Sequence, residues 1–415
     1  MIIEYSCKNF RSIGDNITFS MLASTDKSLL ENCYNFKNLK ILKEAVIYGA
    51  NGSGKSNFIK SLTFLKMLVV NSKNHNPGDK IRVFKNKRML NNNTEYSIHF
   101  ISNGTRYYYG FSYNENNIVD EFLYYYPNDK EAKIFDRQSS NITYGESFRK
   151  ELKEVENDYL KENRLLLSCA ADRKNIKEIV DVYLFFNVQL VTYGDLDDWS
   201  VYSANAAAND SNLRQLFIDF MHNIGKKDLL SINSRVENKT IPSNLLPQFL
   251  TPEAQLELQN KPIQTPIVKF IYRNFELDIT EESEGIQKLF GFFFPFIDMI
   301  LKHKILICDE FETHLHPLLV KELISLFKNN STESQLLFTT HDINLLNLDI
   351  FRRDQIWFTE TNLEGFTDLY SLAELKSVRK DENISKNYIL GKYSGVPMIN
   401  EGIKLSIIKE LVKNE

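Results

Sequence analysis

Apolar residues recur along this chain in three rhythms. The segments "EAVIY" (Glu44–Tyr48), "HKILICDE" (His303–Glu310) and "LLFTTHD" (Leu336–Asp342) contain short continuous apolar runs, and the last two end in polar residues. Runs of that length predict strands buried on both faces, as in the centre of a parallel sheet. A period of two governs "EYSIHFISNGTRYYYGFSY", with Asn103-Gly104 between two strand-like stretches. That pattern predicts a hairpin, and Glu95 to Phe135 reads as an antiparallel sheet packed beside the parallel one. Helical spacing appears in "SNFIKSLTFLKMLVV", where Phe58, Leu62, Leu65 and Val69 share one side. Helical and charged "ESFRKELKEVENDYLKENRLLL" follows from Glu146, most simply as a solvated helix face.

Shorter strands are expected at Ile2 to Ser6, Ile17 to Leu22 and Ala45 to Tyr48. Pro242, Pro247, Pro252, Pro262 and Pro266 crowd the approach to "IVKFIYRNFEL" and mark a linker. Near the end, "IWFTETNLEGFTDLYSLAEL" reads as a strand pair completing the sheet, then a short helix. These patterns divide the chain into an amino-terminal lobe (1–144), a helical arm insertion with its linker (145–262) and a carboxy-terminal lobe (263–415).

Composition narrows the class. Hydrophobic residues at 43% and charged residues at 25% are ordinary for a folded soluble protein. A net charge of -4 gives no global drive toward nucleic acid, although a local basic patch stays open. Cys7, Cys33, Cys169 and Cys308 lack paired spacing, which fits a reducing compartment and a cytoplasmic protein. The most apolar run, Leu289 to Leu301, contains Pro295 and Asp298 and is too short to span a bilayer, so no membrane association is expected.

The chemistry is concentrated at the strand ends. "VIYGANGSGKSN" matches G-x-x-x-x-G-K-[ST] at Gly49, Gly54, Lys55 and Ser56, between a strand and a helix. Such a loop turns backbone N–H groups toward phosphate oxygens, and the helix N-terminus adds a favourable dipole. Lys55 is expected to reach the β- and γ-phosphates of ATP, and Ser56 to bind Mg²⁺. Asp309 is the expected second Mg²⁺ ligand, with Glu310 as general base for the attacking water. His341 falls at the carboxyl end of its strand, where open α/β sheets bind ligands, and is a candidate to meet the γ-phosphate or the water. Ser283 and Gly285 precede an apolar helix; they can present donors to an anion or simply cap the helix.

The order of phosphate loop, Ser-x-Gly segment, Asp-Glu strand and strand ending in histidine resembles that of ABC-type ATPases. "KNFRSIGDNITFSML" and "DEFETHLHP" are similar to the start and to the acidic strand and following loop of their RecF, SMC and OLD-like branch. The tyrosine-rich stretch Gly104 to Pro127 and the tail "YILGKYSGVPMIN" resemble stand-alone bacterial AAA-family ATPases related to AbiL, PARIS and Septu. The resemblance implies an α/β ABC-type ATPase head with a mixed parallel core sheet, an antiparallel side sheet and a helical arm. It implies nucleotide contacts from Arg11, Gly49, Asn51, Gly52, Gly54, Lys55, Ser56 and Asn57. Ser283 and Gly285 would complete the site of a second copy, so that ATP and Mg²⁺ glue a homodimer or larger oligomer.

The loop holding His314 and His316 is expected to touch the partner copy rather than form a metal site, since nothing completes a tetrahedral ligand set. A separate nuclease- or toxin-like effector in anti-phage defence is the implied setting. Two alternatives stand beside it: a DNA-binding SMC- or RecF-like repair ATPase, and a nucleotide-locked scaffold that does not hydrolyse. One departure from the pattern is evident: no glutamine lies between Asn57 and Arg137 to serve the Q-loop, near whose expected place Ile81 to Lys87 falls. The tyrosines of the side sheet are open to two uses, stacking on bases or packing against a neighbour.

Overall fold

The computed structural model describes residues 1–193, 199–240, 251, 262–375, 378 and 382–396. Eighteen strands make four sheets among the described residues. The core sheet contains β5 (Glu44–Gly49), β11 (Leu190–Tyr193), β15 (Ile305–Cys308), β16 (Gln335–Thr339), β17 (Ile356–Thr361) and β18 (Thr367–Ser371). Its order is β11-β15-β16-β5-β17-β18, parallel throughout except for the final β17–β18 pair. The parallel strands expected from the apolar runs are present, in the mixed core sheet that the resemblance implied. Every residue of β5, β15 and β16 is buried, which explains why these strands show no alternation.

The side sheet is wholly antiparallel. It takes β1 (Ile2–Lys8), β2 (Ile17–Ser20), β6 (Thr94–Ser102), β7 (Thr105–Tyr113), β8 (Ile118–Tyr125), β9 (Ala132–Gln138) and β10 (Asn141–Tyr144). The β6–β7 hairpin turns on Asn103 and Gly104, with φ of 47° and 73°, the left-handed pair that a two-residue turn demands. One face of this sheet is core: Tyr96, Tyr107, Tyr109 and Tyr113 are buried, whereas Tyr108 and Tyr124 lie half-buried on the other. Two further sheets are small: β3 (Cys33–Phe36) with β4 (Leu39–Leu42), and β12 (Leu229–Lys239) with β13 (Ile263–Tyr272) and β14 (Glu276–Asp278).

Nine α-helices are described: α1 (Lys55–Asn71), α2 (Arg149–Asp158), α3 (Leu166–Arg173), α4 (Lys177–Leu184), α5 (Ser200–Asn209), α6 (Ser211–Asn223), α7 (Glu284–Leu301), α8 (Pro317–Asn330) and α9 (Ile384–Ile389). In the stretch expected as an arm, α2 to α4 bury Leu152, Val155, Leu166, Leu167, Ile179 and Val182 in the same cluster as α1 and the side sheet. The chain then contributes β11 to the edge of the core sheet, a strand that its four residues did not announce. The charged residues of α2 occupy its outer face, as the sequence suggested. Strand β13 begins at Ile263, directly after the expected boundary at 262, and includes Pro266, tolerated because β14 pairs only with Lys269 to Ile271. Pro242, Pro247 and Pro252, and residues 397–400 of the tail, lie outside the described residues.

Helix α7 buries Phe290, Phe292, Phe293, Phe294 and Phe296 against α6 and the core sheet. Among the described residues, no helix is long and apolar enough to cross a membrane.

At the foot of β5, Glu44 is fully buried. Gln355 donates to one of its carboxylate oxygens at 2.9 Å, and the other has no partner. Burial pushes its pKa up to about 7, against the pull of Lys328 and Lys43. A raised carboxyl pKa means the folded state keeps a proton that the unfolded chain releases, so stability falls as pH rises from about 4.5 to 7. Glu44→Gln is therefore expected to raise the melting temperature at pH 8, by relieving on the order of 3 kcal/mol, and to leave little difference at pH 4.5. Equal melting shifts at both pH values would contradict the buried-carboxyl assignment.

Candidate functional site

Sheet order assembles the site. Because β16 lies between β5 and β15, the carboxyl ends of three parallel strands meet at one edge. The end of β5 and the loop after it supply Gly49 to Gly54, the residues that follow β15 supply Asp309 and Glu310, and the end of β16 and the loop after it supply Thr339 to His341.

Gly49 admits no side chain: a Cβ there would lie 2.3 Å from Thr359 Oγ1 and 2.5 Å from Ser53 Oγ. Gly54 has φ of 113°, and a Cβ would meet Thr367 Oγ1 at 2.1 Å. Asn51 and Gly52 are exposed at the loop crest. Helix α1 then starts at Lys55. The Lys55 ammonium is buried and donates to the carbonyls of Gly49 (2.7 Å) and Ala50 (3.2 Å). Burial lowers its pKa, while Asp309, Glu310 and Glu312 act in the other direction, so the three carboxylates face this lysine. Ser56 is half-buried in the first turn. Asn57 directs its amide at Ser12 Oγ (2.7 Å), and thereby holds the turn that carries Arg11 against the loop.

The acidic strand end is locked by a residue that sequence reasoning missed. The buried Thr339 hydroxyl donates to Asp309 Oδ1 at 2.6 Å and accepts from the Glu310 N–H at 2.8 Å. Glu310 has φ of 48°, and Thr313 donates to its Oε2 at 3.3 Å. Glu312, also unassigned beforehand, accepts from the His341 N–H at 2.5 Å, and its other oxygen is buried without a partner. The only hint of Thr339 was a threonine closing an apolar run. For Glu312 it was the acid spacing in "DEFET". His341 is exposed overall, yet its imidazole pKa is lowered by burial and by Lys55, against the three carboxylates, and it is neutral at neutral pH.

Three carboxylates against one lysine, with one buried oxygen orphaned, suit a hard divalent cation bound through oxygen. Ser56 and Asp309 supply donors of the right kind. Among the described residues, no group of three His, Cys, Asp or Glu side chains is arranged to hold a metal by itself. His316 Nδ1 accepts from the Leu318 N–H as the cap of α8, and His314 Nδ1 lies 3.3 Å from Glu284.

Ser283 caps α7, its hydroxyl accepting from the Ile286 N–H at 3.4 Å. Gly285 rests on the His314 carbonyl, which a Cβ would approach to 2.8 Å. Ser283, Glu284 and His314 are exposed and form one surface, and neither Ser283 nor Gly285 bonds to the phosphate loop of its own chain. Arg11, at φ of 52°, lays its guanidinium over Phe84 at 4.7 Å. Together with Lys85, Lys87 and Arg88 it lines an open hollow of about 460 Å³. Segment Ile81 to Lys87 packs on the Arg11 turn, with Asn86 Nδ2 donating to the Arg11 carbonyl at 2.8 Å.

A strand, glycine loop and helix facing an acidic strand end across a parallel sheet define a phosphate-loop domain of the AAA type. The chain belongs to the family described as "AAA domain, putative AbiEii toxin, Type IV TA system", which matches residues 45–347. No curated protein matches the chain. Among solved structures it is similar to the SMC head domain from Thermotoga maritima (12% identity, TM-score 0.41, covering 89% of this chain and 98% of that one). It is also similar to an SMC head bound to the C-terminal winged-helix domain of ScpA (17%, 0.39, covering 89% and 97%). A third is an SMC head with an extended coiled coil bound to the C-terminal domain of ScpA, derived from Pyrococcus furiosus (15%, 0.40, covering 89% and 96%).

Proposed function

We propose that this chain is an ATP-hydrolysing switch whose nucleotide is sandwiched between two copies and whose state controls a separate effector. One observation carries the reading. Lys55 and three carboxylates converge at one strand edge, while exposed Ser283 and half-buried Gly285 lie beside His314 and make no bond to their own phosphate loop.

The steps follow from the residues. Lys55 leaves the Gly49 and Ala50 carbonyls and takes up the β- and γ-phosphates, whose charge replaces the carbonyl dipoles. Loop N–H groups and the α1 terminus cradle the remaining oxygens. Ser56 and Asp309 would hold Mg²⁺, whose chemistry there would be to offset the negative charge of the phosphate oxygens. Glu310 takes a proton from water as its oxygen bonds to the γ-phosphorus, and the β–γ bridging oxygen departs with ADP. Thr339 keeps Asp309 and Glu310 in register, and neutral His341 is placed to bond the γ-phosphate or the water. Ser283 and Gly285 of a second copy close the site, so ATP favours the dimer because it binds that state better. Loss of the γ-phosphate loosens it.

The family's toxin–antitoxin description supports a defence setting, with a nuclease- or toxin-like protein as effector. A second reading, direct DNA binding, draws on the cationic hollow of Arg11, Lys85, Lys87 and Arg88. One titration separates the readings: ATP turnover of the purified chain with and without duplex DNA across a salt series. Turnover independent of DNA supports the switch. Stimulation that falls steeply with salt supports the DNA reading. Tight ATP retention without turnover in either arm would contradict hydrolysis and leave a nucleotide-locked scaffold.

A further inference from the structure

Residues 383–396 fold back onto the start of the phosphate loop. Tyr388 on α9 is 7% exposed. Its ring stacks on Phe358 of β17 at 5.4 Å and meets the Tyr48 ring edge-on at 5.8 Å. Its hydroxyl donates to the Gly395 carbonyl at 3.0 Å. Gly395, at φ of 67°, passes so close that a Cβ there would lie 3.3 Å from the Thr359 carbonyl and 3.7 Å from Gly49 Cα. Burial raises the Tyr388 hydroxyl to about 12, opposed by the Gly49 backbone N–H. A second hydroxyl, that of Tyr370, donates to the Tyr393 carbonyl at 2.8 Å and pins the same turn to β18.

These contacts reach both phosphate-facing elements. Gly49 is the residue whose carbonyl holds Lys55, and Thr359 holds the loop through Ser53 at 2.6 Å. Tyr48, under the Tyr388 ring, donates to the Asp342 carbonyl at 3.2 Å, next to His341. One strap therefore touches the start of the phosphate loop and, through one tyrosine, the loop bearing the histidine.

We propose that residues 383–396 form a strap that sets the rate of ATP hydrolysis by holding Gly49 and the His341 loop in register, with Tyr388 as its positioning residue. The inference rests on the ATPase reading above. Sub-ångström alignment governs the chemical step far more than ground-state binding. Loosening the strap should thus lower kcat while leaving nucleotide affinity nearly intact, because the far end of the loop is anchored separately, by the start of α1 at Lys55 and by Thr367, whose hydroxyl donates to the Ser53 carbonyl at 3.0 Å.

The test compares full-length wild type with Tyr388→Phe, which keeps both ring contacts and removes only the hydroxyl, and Tyr370→Phe, which releases the other pin. Tyr144→Phe serves as control, since that hydroxyl, on β10 of the side sheet, bonds Glu156 of α2. The expected result is a kcat lowered about tenfold in both strap variants, with KM and ATP-analogue affinity within about twofold of wild type and Tyr144→Phe unchanged. Wild-type turnover in Tyr388→Phe and Tyr370→Phe would overturn the strap and leave the ATPase reading standing. A joint loss of kcat, affinity and melting temperature would overturn positioning in favour of plain stability. A wild-type chain without turnover would remove the ATPase reading itself, and the strap with it.

Discussion

Glu310→Gln is expected to bind ATP and then fail to let it go. The substitution keeps the shape at the end of β15 and the backbone bond to Thr339, so the site should still assemble. It removes the group proposed to take the proton from water, and loss of a general base lowers turnover by about 10²–10⁴-fold. Because ATP is proposed to stabilise the closed dimer, slowing hydrolysis should shift the population toward it. The chain should therefore elute as a dimer with ATP and Mg²⁺, and as a monomer after nucleotide removal. Sizing with light scattering reads the first effect and phosphate release the second. Unchanged phosphate release would move the base elsewhere, with Glu312 the next candidate among the carboxylates that face Lys55.

Ser283→Arg is expected to abolish turnover without touching the phosphate loop. Ser283 is exposed at the head of α7, and its cap on Ile286 is long at 3.4 Å, so the chain should fold with a loss of about 1 kcal/mol at most. The bulky side chain would stand where a second copy presents its nucleotide. Affinity of the isolated chain for an ATP analogue should remain within about twofold, because uniform binding to Lys55 and the loop is untouched. ATP-dependent dimerisation should disappear along with turnover. Normal turnover in this variant would place Ser283 outside any active site.

Much of this site was readable because its chemistry is local. Gly49 to Ser56 needs only strand, loop and helix in sequence, and both Gly49 and Gly54 are fixed by contacts no side chain could survive. Asp309, Glu310 and His341 sit at strand ends that continuous apolar runs already marked. What escaped was long-range. Thr339 clasps Asp309 from a different strand, and Glu312 captures the His341 amide across a loop. No spacing along the chain encodes either contact. Strand β11 was invisible for the same reason: four residues after a helical stretch gain strand character only by pairing with β15. The segment expected as a compact helical arm packs α2 to α4 with α1 and the side sheet, because helices this short need a neighbour to hold them. The tail's tyrosines gave a likeness but no address, and their place on Gly49 came only from the fold.

The most direct measurement mixes two inactive chains. Glu310→Gln lacks the base but carries an intact Ser283, and Ser283→Arg has the reverse defect. Combined before ATP is added, a mixed pair holds one site with Lys55, Ser56, Asp309 and Glu310 from one copy and Ser283 and Gly285 from the other. ATP hydrolysis that neither chain shows alone, rising and falling with the mixing ratio, is the expected result. A mixture as inactive as its components, although both bind nucleotide, would contradict a pocket shared between two copies.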